Sequence, residues 1–292
     1  MDKNLVLIDN HVFIKPEYLN HPYVSGNKLR KLKYNVMEAK KRNKAMLLTF
    51  GGAFSNHIAA VAYAGQEHGF QTIGIIRGDE LNEQHTLNAT LSFAKSCGMQ
   101  FKFVSRETYR TKTSESFINQ LTREFGDFYL IPEGGTNALA IKGCEEILTE
   151  TDLAFDYVCC PVGTGGTISG LINSSRSAQK IIGFPALKGD FLREEITKFA
   201  SKSNWELISD YHFGGYAKIN EELVQFINQF KSRYNVPLDP IYTGKMMYGI
   251  YDLISEGYFK DGSKILAIHT GGLQGIEGMN VKLKQQNKPL IV

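Results

Sequence analysis

The stretch DYVCCPVGTGGTISG, residues 156–170, runs from an apolar segment through a glycine-rich turn into a helical pattern. Strand, turn and helix in that order form the repeating unit of an α/β protein with parallel strands. Gly163, Gly165 and Gly166 let the main chain approach a ligand closely, and Thr164 and Thr167 add hydroxyl donors. The start of the following helix offers unpaired N–H groups and the positive end of a dipole. Residues 163–167 therefore read as a phosphate cup, set against the plainer reading of a tight strand–helix turn. The spacing is not GxGxxG, because Ile168 occupies the place of the third glycine, and no lysine follows as in a Walker loop.

The same alternation extends in both directions. Upstream, AMLLTF (45–50), QTIGIIRG (71–78), QFKFVS (100–105) and FYLIPE (128–133) read as strands. Between them, helices are expected over 55–69, 85–98 and 114–126, closing on Gly69, Gly98 and Gly126. Downstream come a helix near 137–150, the strand 156–162, a helix from Thr167 and the strand KIIGFPAL (180–187). Helices over 191–203, 220–233 and 244–257 and the strand SKILAIHT (263–270) complete the pattern. Repeats of this length imply parallel sheets covered on both faces.

The bulk properties narrow the function classes. The 292 residues suit one large α/β unit or two closely joined domains, with 42% hydrophobic and 22% charged residues. The net charge of +3 is scattered, so there is no basic stripe for a nucleic acid. Asp2 and Asp9 break any signal-peptide pattern, and no apolar run reaches the roughly 18 residues of a membrane span. Cys97, Cys144, Cys159 and Cys160 form no CxxC pair, and the adjacent two should point to opposite faces of a strand. A reduced, cytoplasmic, metal-free protein is expected.

Three further segments carry residues with chemical potential. SGNKLRKL (25–32) places Lys28 at the start of an amphipathic pattern; it is either a solvated basic helix start or, if desolvated near other positive charge, a nucleophilic amine. TFGGAFSNHIAAVA (49–62) sets Ser55, Asn56 and His57 where a helix start can bind a carboxylate, although Ser55 would also serve as a simple cap. DPIYTGK (239–245) and HTGG (269–272) put Tyr242, Thr243 and Thr270 in loops at strand ends, where ligands of open α/β sheets gather.

Taken together and in this order, SGNKLRKL, GGAFSNH, IPEGGTNALAIKG (131–143), PVGTGGTISG, DPIYTGK and HTGGLQG resemble one family from about Ser25 to Gly275. It is the 1-aminocyclopropane-1-carboxylate (ACC) deaminase and D-cysteine desulfhydrase family, whose fold is the tryptophan-synthase-β type (fold type II) of pyridoxal-phosphate enzyme. The resemblance implies two parallel-sheet domains: a large one from 1–32 plus 139–292, and a small inserted one at 33–138. Pyridoxal 5'-phosphate would lie in the cleft between them, and the assembly would be a homodimer. Lys28 would hold the cofactor as a Schiff base and shuttle protons. Asn56 would bond the phenolic oxygen, and Gly163, Thr164, Gly165, Gly166 and Thr167 the phosphate. Ser55, Asn56 and His57 would receive the substrate carboxylate, with Ser55 as a second base, and Tyr242 would act on the leaving group.

The chain departs from the family's ACC deaminases at Thr243 and Thr270, where those enzymes resemble one another in having glutamate and leucine. It also has Glu17 and Tyr18 where the family carries an acidic pair. A threonine hydroxyl beside the cofactor ring supports a weaker electron sink than a carboxylate. That favours β-elimination from D-cysteine, with ACC as the alternative substrate. D-serine or threonine dehydration, a β-replacement reaction and a cofactor binder without turnover remain other readings. Broken glycine spacing opposes a nucleotide-dependent dehydrogenase.

Overall fold

The computed structural model describes residues 5–9, 11–81 and 87–292. The chain opens with strands β1 (Val6–Asp9) and β2 (Val12–Lys15), then the helix α1 (Asn27–Lys41). The expected alternation follows as β3 (Met46–Gly52), α2 (Asn56–His68), β4 (Gln71–Arg77), α3 (Ala89–Ser96) and β5 (Gln100–Val104). Next come α4 (Arg106–Arg110), α5 (Glu115–Phe125), β6 (Tyr129–Ile131), α6 (Ala138–Cys144), β7 (Tyr157–Val162) and α7 (Gly166–Ser174). The remainder is β8 (Lys180–Pro185), α8 (Phe191–Thr197), β9 (Trp205–Leu207), α9 (Glu221–Tyr234), α10 (Thr243–Ser255), β10 (Ile265–Ile268) and α11 (Gly275–Gln285).

These strands form two sheets. One is four-stranded and wholly parallel, in the order β5-β4-β3-β6. The other has the order β1-β2-β10-β7-β8-β9 and is parallel except at one edge. There β1 runs antiparallel to β2, with Leu7 opposite Phe13. Two residues are too few for the crossover that a parallel pair requires, so the short β1–β2 connection dictates the exception.

Each sheet is covered on both faces, as its strands require. On β7, Tyr157 and Cys159 belong to one cluster with Ile182, Ile227 and Met247. Val158, Cys160 and Val162 join the opposite cluster with Leu171, Ile181 and Leu266, so the adjacent cysteines point opposite ways. In the small sheet Leu47 and Ile76 pack against Val36 and Ile58, while Leu48, Phe50 and Ile73 pack against Phe117 and Leu121. Leu47 and Leu48 are both fully enclosed, each removal from water being favourable by about 1.5–3 kcal/mol.

Helix ends follow the sequence cues. Ser55, Asn88, Ser114, Asn137 and Asn220 accept main-chain N–H bonds as N-caps. The expected helix over 85–98 begins at Ala89, its residues 85 and 86 lying outside the described part. Helices expected over 137–150 and 191–203 are shorter, ending at Cys144 and Thr197. No helix among the described residues is long and apolar enough to cross a membrane.

Candidate active site

The carboxyl ends of β3, β6, β7 and β10 lead into the segments 53–57, 132–136, 163–167 and 269–272. The two sheets turn these segments toward one another, and the start of α1 lies among them. Gly26 makes this approach possible. Its φ is +67°, and a methyl group there would overlap the Thr270 carbonyl. The Asn27 main-chain N–H donates to Thr270 O at 3.1 Å, and its side-chain amide donates to Thr167 Oγ1 at 2.8 Å. Lys28 is thereby set beside both the glycine turn and the end of β10.

Lys28 is only 9% exposed, and its Nζ donates to Asn27 Oδ1 at 3.0 Å. Burial, together with the neighbouring Lys31, lowers its pKa from 10.5 to about 7. Lys31 follows one turn later on the same helical face and is 2% exposed. The sequence reading passed over it, although its i+3 spacing from Lys28 was a usable signal. Its Nζ donates to Gly134 O and Thr136 Oγ1, both at 3.0 Å, and lies 3.5 Å from Thr164 Oγ1. These acceptors are neutral, and a buried ammonium without an anion is costly. A buried ammonium at the glycine turn and a buried, weakly basic amine one helical turn before it fit a phosphorylated aldehyde, with phosphate for Lys31 and a carbonyl carbon for Lys28.

The turn itself has the geometry of a cradle. A methyl group added at Gly166 would lie 2.8 Å from Thr136 Oγ1 and 3.1 Å from Lys31 Nζ. Thr164 Oγ1 is 2.6 Å from Thr136 Oγ1, which ties the turn to the loop after β6. No side chain caps α7, so its first N–H groups remain open to an anion. Gly165 has a different role. Its φ is +82°, and a methyl there would meet Ile196 of α8 at 3.0 Å.

The turn before α2 brings Ser55 and Asn56 to the same cleft. Ser55 Oγ accepts a long 3.4 Å bond from the Ile58 N–H, and Asn56 Nδ2 lies 3.5 Å from where a side chain at Gly272 would begin. His57 contributes through its backbone. Its ring is buried, with Nε2 2.8 Å from Thr49 Oγ1, so a carboxylate would meet its main-chain N–H rather than its imidazole. Burial, and next the Lys28 charge, hold the ring neutral, well below the usual histidine pKa.

Tyr242 caps α10, and its ring packs on the glycine turn; a methyl at Gly163 would lie 3.2 Å from its Cε1. Its neighbour is Tyr216, with ring centroids 6.2 Å apart, a residue that the sequence reading did not identify. Burial raises the pKa of both hydroxyls, so both stay protonated near neutrality. Thr243 departs from its expected place at the cofactor ring. It is fully enclosed, its hydroxyl donating to Asp239 Oδ2 at 2.7 Å and accepting from the Asp239 N–H at 2.9 Å. Asp239 also accepts the N–H groups of Ile241, Tyr242 and Thr243 at 2.8–2.9 Å. Thr270 lies at the start of α1, its carbonyl against Gly26 and accepting the Asn27 N–H.

Comparison with known proteins identifies the family. Residues 4–271 match the family model described as pyridoxal-phosphate dependent enzyme. A Pyrococcus horikoshii protein provisionally named 1-aminocyclopropane-1-carboxylate deaminase is 31% identical, covering 90% of this chain and 85% of its own. The mitochondrial bifunctional D-cysteine desulfhydrase/1-aminocyclopropane-1-carboxylate deaminase of Arabidopsis thaliana is 30% identical, covering 91% of this chain and 73% of its own. A crystal structure of an ACC deaminase homologue superposes with a TM-score of 0.82 at 29% identity, over 94% of this chain and 88% of that one. The chain is therefore a pyridoxal-phosphate-dependent enzyme of fold type II, in the family of the ACC deaminases and D-cysteine desulfhydrases.

Proposed function

We propose that the protein deaminates a small amino acid and that its preferred reaction is β-elimination from D-cysteine to pyruvate, ammonia and sulfide. The pair of buried amines, Lys31 at the glycine turn and Lys28 beside it on the same helical face, both with neutral hydrogen-bond acceptors, carries the cofactor-binding part of this reading. Pyridoxal phosphate, when bound, supplies an electron sink for charge developing at the substrate α-carbon. Lys28 would hold its aldehyde carbon, Lys31 and residues 163–167 its phosphate, Asn56 its phenolic oxygen and Thr270 its ring nitrogen.

The chain's own groups then divide the work. Lys28 Nζ, uncharged from about pH 7 upward, takes the proton from the α-carbon. The first N–H groups of α2 and the Ser55 hydroxyl bind the substrate carboxylate. Tyr242 Oη, kept protonated by burial, gives a proton to the departing sulfur, with Tyr216 beside it.

The choice of D-cysteine rests on what the ring nitrogen would meet. The carboxylate of the 237–245 segment, Asp239, is turned to the backbone of residues 241–243 and to Thr243. Thr270 offers a neutral hydroxyl, which supports elimination of a good leaving group over opening of a cyclopropane ring. The Arabidopsis relative is named for both activities, which supports the pair of candidate substrates.

Two measurements test the proposal. Borohydride reduction followed by peptide mass analysis should place the cofactor on Lys28, and Lys28→Ala should abolish both the label and turnover; undiminished turnover in that variant would sink the assignment. Comparing kcat/KM for D-cysteine, L-cysteine, D-serine and ACC on one preparation should rank D-cysteine first. A missing charged hydrogen bond of roughly 1.5–3 kcal/mol corresponds to about one to two orders of magnitude in ACC opening. ACC as the best of the four overturns the substrate choice while leaving the Lys28 role intact.

A further inference from the structure

Tyr216 reaches Tyr242 from a loop held in an unusual shape. Phe213, Gly214, Gly215 and Ala217 all have positive φ, at 52°, 88°, 113° and 54°. Two of them carry a Cβ, which disfavours that region, so the surroundings must over-determine the conformation. Those surroundings are one face of α10. Lys245 Nζ donates to the carbonyl oxygens of His212 at 2.8 Å and Gly215 at 2.9 Å. One turn further, Tyr248 meets the Phe213 ring edge to face, with centroids 5.0 Å apart. Gly249 admits Tyr211, whose ring would lie 2.7 Å from a methyl added there, and Tyr211 Oη donates to Asp252 at 2.9 Å. Positions 245, 248, 249 and 252 recur at i, i+3, i+4 and i+7, a single helical stripe. The helix that bears this stripe starts from Tyr242, so the loop is laid out along the element that presents its partner tyrosine.

Lys245 is the mooring at the tyrosine end and the chemically unexpected one. It is 2% exposed, and its ammonium ends on main-chain carbonyls rather than on a carboxylate. Asp239, the nearby acid, has its oxygens engaged by residues 241–243. A methionine would fill the same space without the desolvation of a charge. The ammonium is therefore explained by what it holds, the backbone on either side of Phe213 and Gly214.

We propose that Lys245 is a positioning residue for the reaction: it fixes the 212–216 loop so that the Tyr216 hydroxyl stands against Tyr242 at the side-chain end of the substrate. The proposal rests on the reading in which this tyrosine pair faces the substrate. Lys245→Met keeps the apolar stem and removes both N–H bonds; Tyr216→Phe keeps the ring and removes the hydroxyl. In the holoenzyme, Lys245→Met should speed amide exchange at residues 213–218 by about tenfold or more, with cofactor absorbance unchanged. Its kcat on the best of the four substrates should fall by about one to two orders of magnitude, with KM moved far less. The double variant should be no slower than Tyr216→Phe alone.

Losses that multiply in the double variant overturn the proposal, as does full kcat in Lys245→Met despite a loosened loop. Unchanged exchange at 213–218 shows that the clamp itself is absent. Parental turnover in both Tyr216→Phe and Tyr242→Phe instead overturns the tyrosine reading, and with it any catalytic role for the clamp. Should Lys245→Met fail to fold, Lys245→Leu, which also lacks a donor, is put through the same measurements with the same deciding outcomes.

Discussion

At the scale of single residues, the site depends on charges placed where water is scarce. Lys28 titrates near 7 in the fold against 10.5 when free, so in the cofactor-free protein it is uncharged from neutral pH upward. Capture of an aldehyde needs the uncharged amine. Uptake of pyridoxal phosphate by the apoprotein should therefore rise about tenfold per pH unit below 7 and level off above it, as stopped-flow absorbance would show. A continued rise toward pH 10 would contradict the burial of Lys28. The linkage has a matching sign: the depressed pKa contributes apoprotein stability above about 10.5, lost as pH falls toward 7. The glycine turn makes a second residue-scale prediction. Gly166→Val should weaken cofactor binding by putting a side chain against Lys31 Nζ, whereas Gly165→Val should chiefly lower stability through its φ and Ile196. Equal cofactor affinity in Gly166→Val and the parent, measured by equilibrium titration, would remove the turn from the binding site.

At the scale of elements, a buried ion pair ties the first strands to the segment before β7. Lys15, on β2, pairs with Asp152, which also accepts from the Thr149 N–H and hydroxyl at 2.8 and 2.9 Å. Asp152→Ala strands an ammonium in the interior and should cost about 3–5 kcal/mol in urea unfolding. Replacing the pair together, Lys15→Met with Asp152→Leu, should recover most of that loss. Neither partner stood out in the sequence, because what matters is their meeting across the fold. The same contrast separates the legible from the illegible elsewhere. The strands and helices from 45 to 133 announce themselves by period and by glycines such as Gly69, whose φ is +76°. Strands β1, β2 and β9 have only three or four residues and, unlike the equally short β6 and β10, are not flanked by a clear apolar run in the strand–helix alternation, so they went unread. Lys28, Ser55, Asn56 and the glycine turn were legible as motifs. Tyr216 and Asp239 were not, because only burial and tertiary partners distinguish them from ordinary surface residues, and Lys31 was marked by nothing but its spacing from Lys28. Thr243 shows the limit of motif reading: its place in DPIYTGK suggested the cofactor ring, while its hydroxyl closes the turn at Asp239.

At the scale of the whole molecule, the two sheets differ in how their strands are drawn from the chain. The small sheet uses only residues between Met46 and Ile131. In the large sheet β2 lies beside β10, with Val12 opposite Ile265 and Lys15 opposite Ile268. This pairing has a consequence in time. Closing a loop of roughly 250 residues is slow compared with pairing neighbours, and synthesis delivers only about 5–20 residues each second. The first strands must wait for a partner made many seconds later, while the small sheet can already be assembled. Pulse-labelled exchange during refolding should protect β3 and β4 amides before those of β2 and β10; the reverse order would refute the scheme. Lys28 follows β2 in the chain, and its neighbours Gly26 and Asn27 rest on the carbonyl of Thr270, just after β10. The nucleophile's pocket is thus among the last structures to close, and a half-made chain presents a lysine that has not yet acquired its reactivity toward aldehydes.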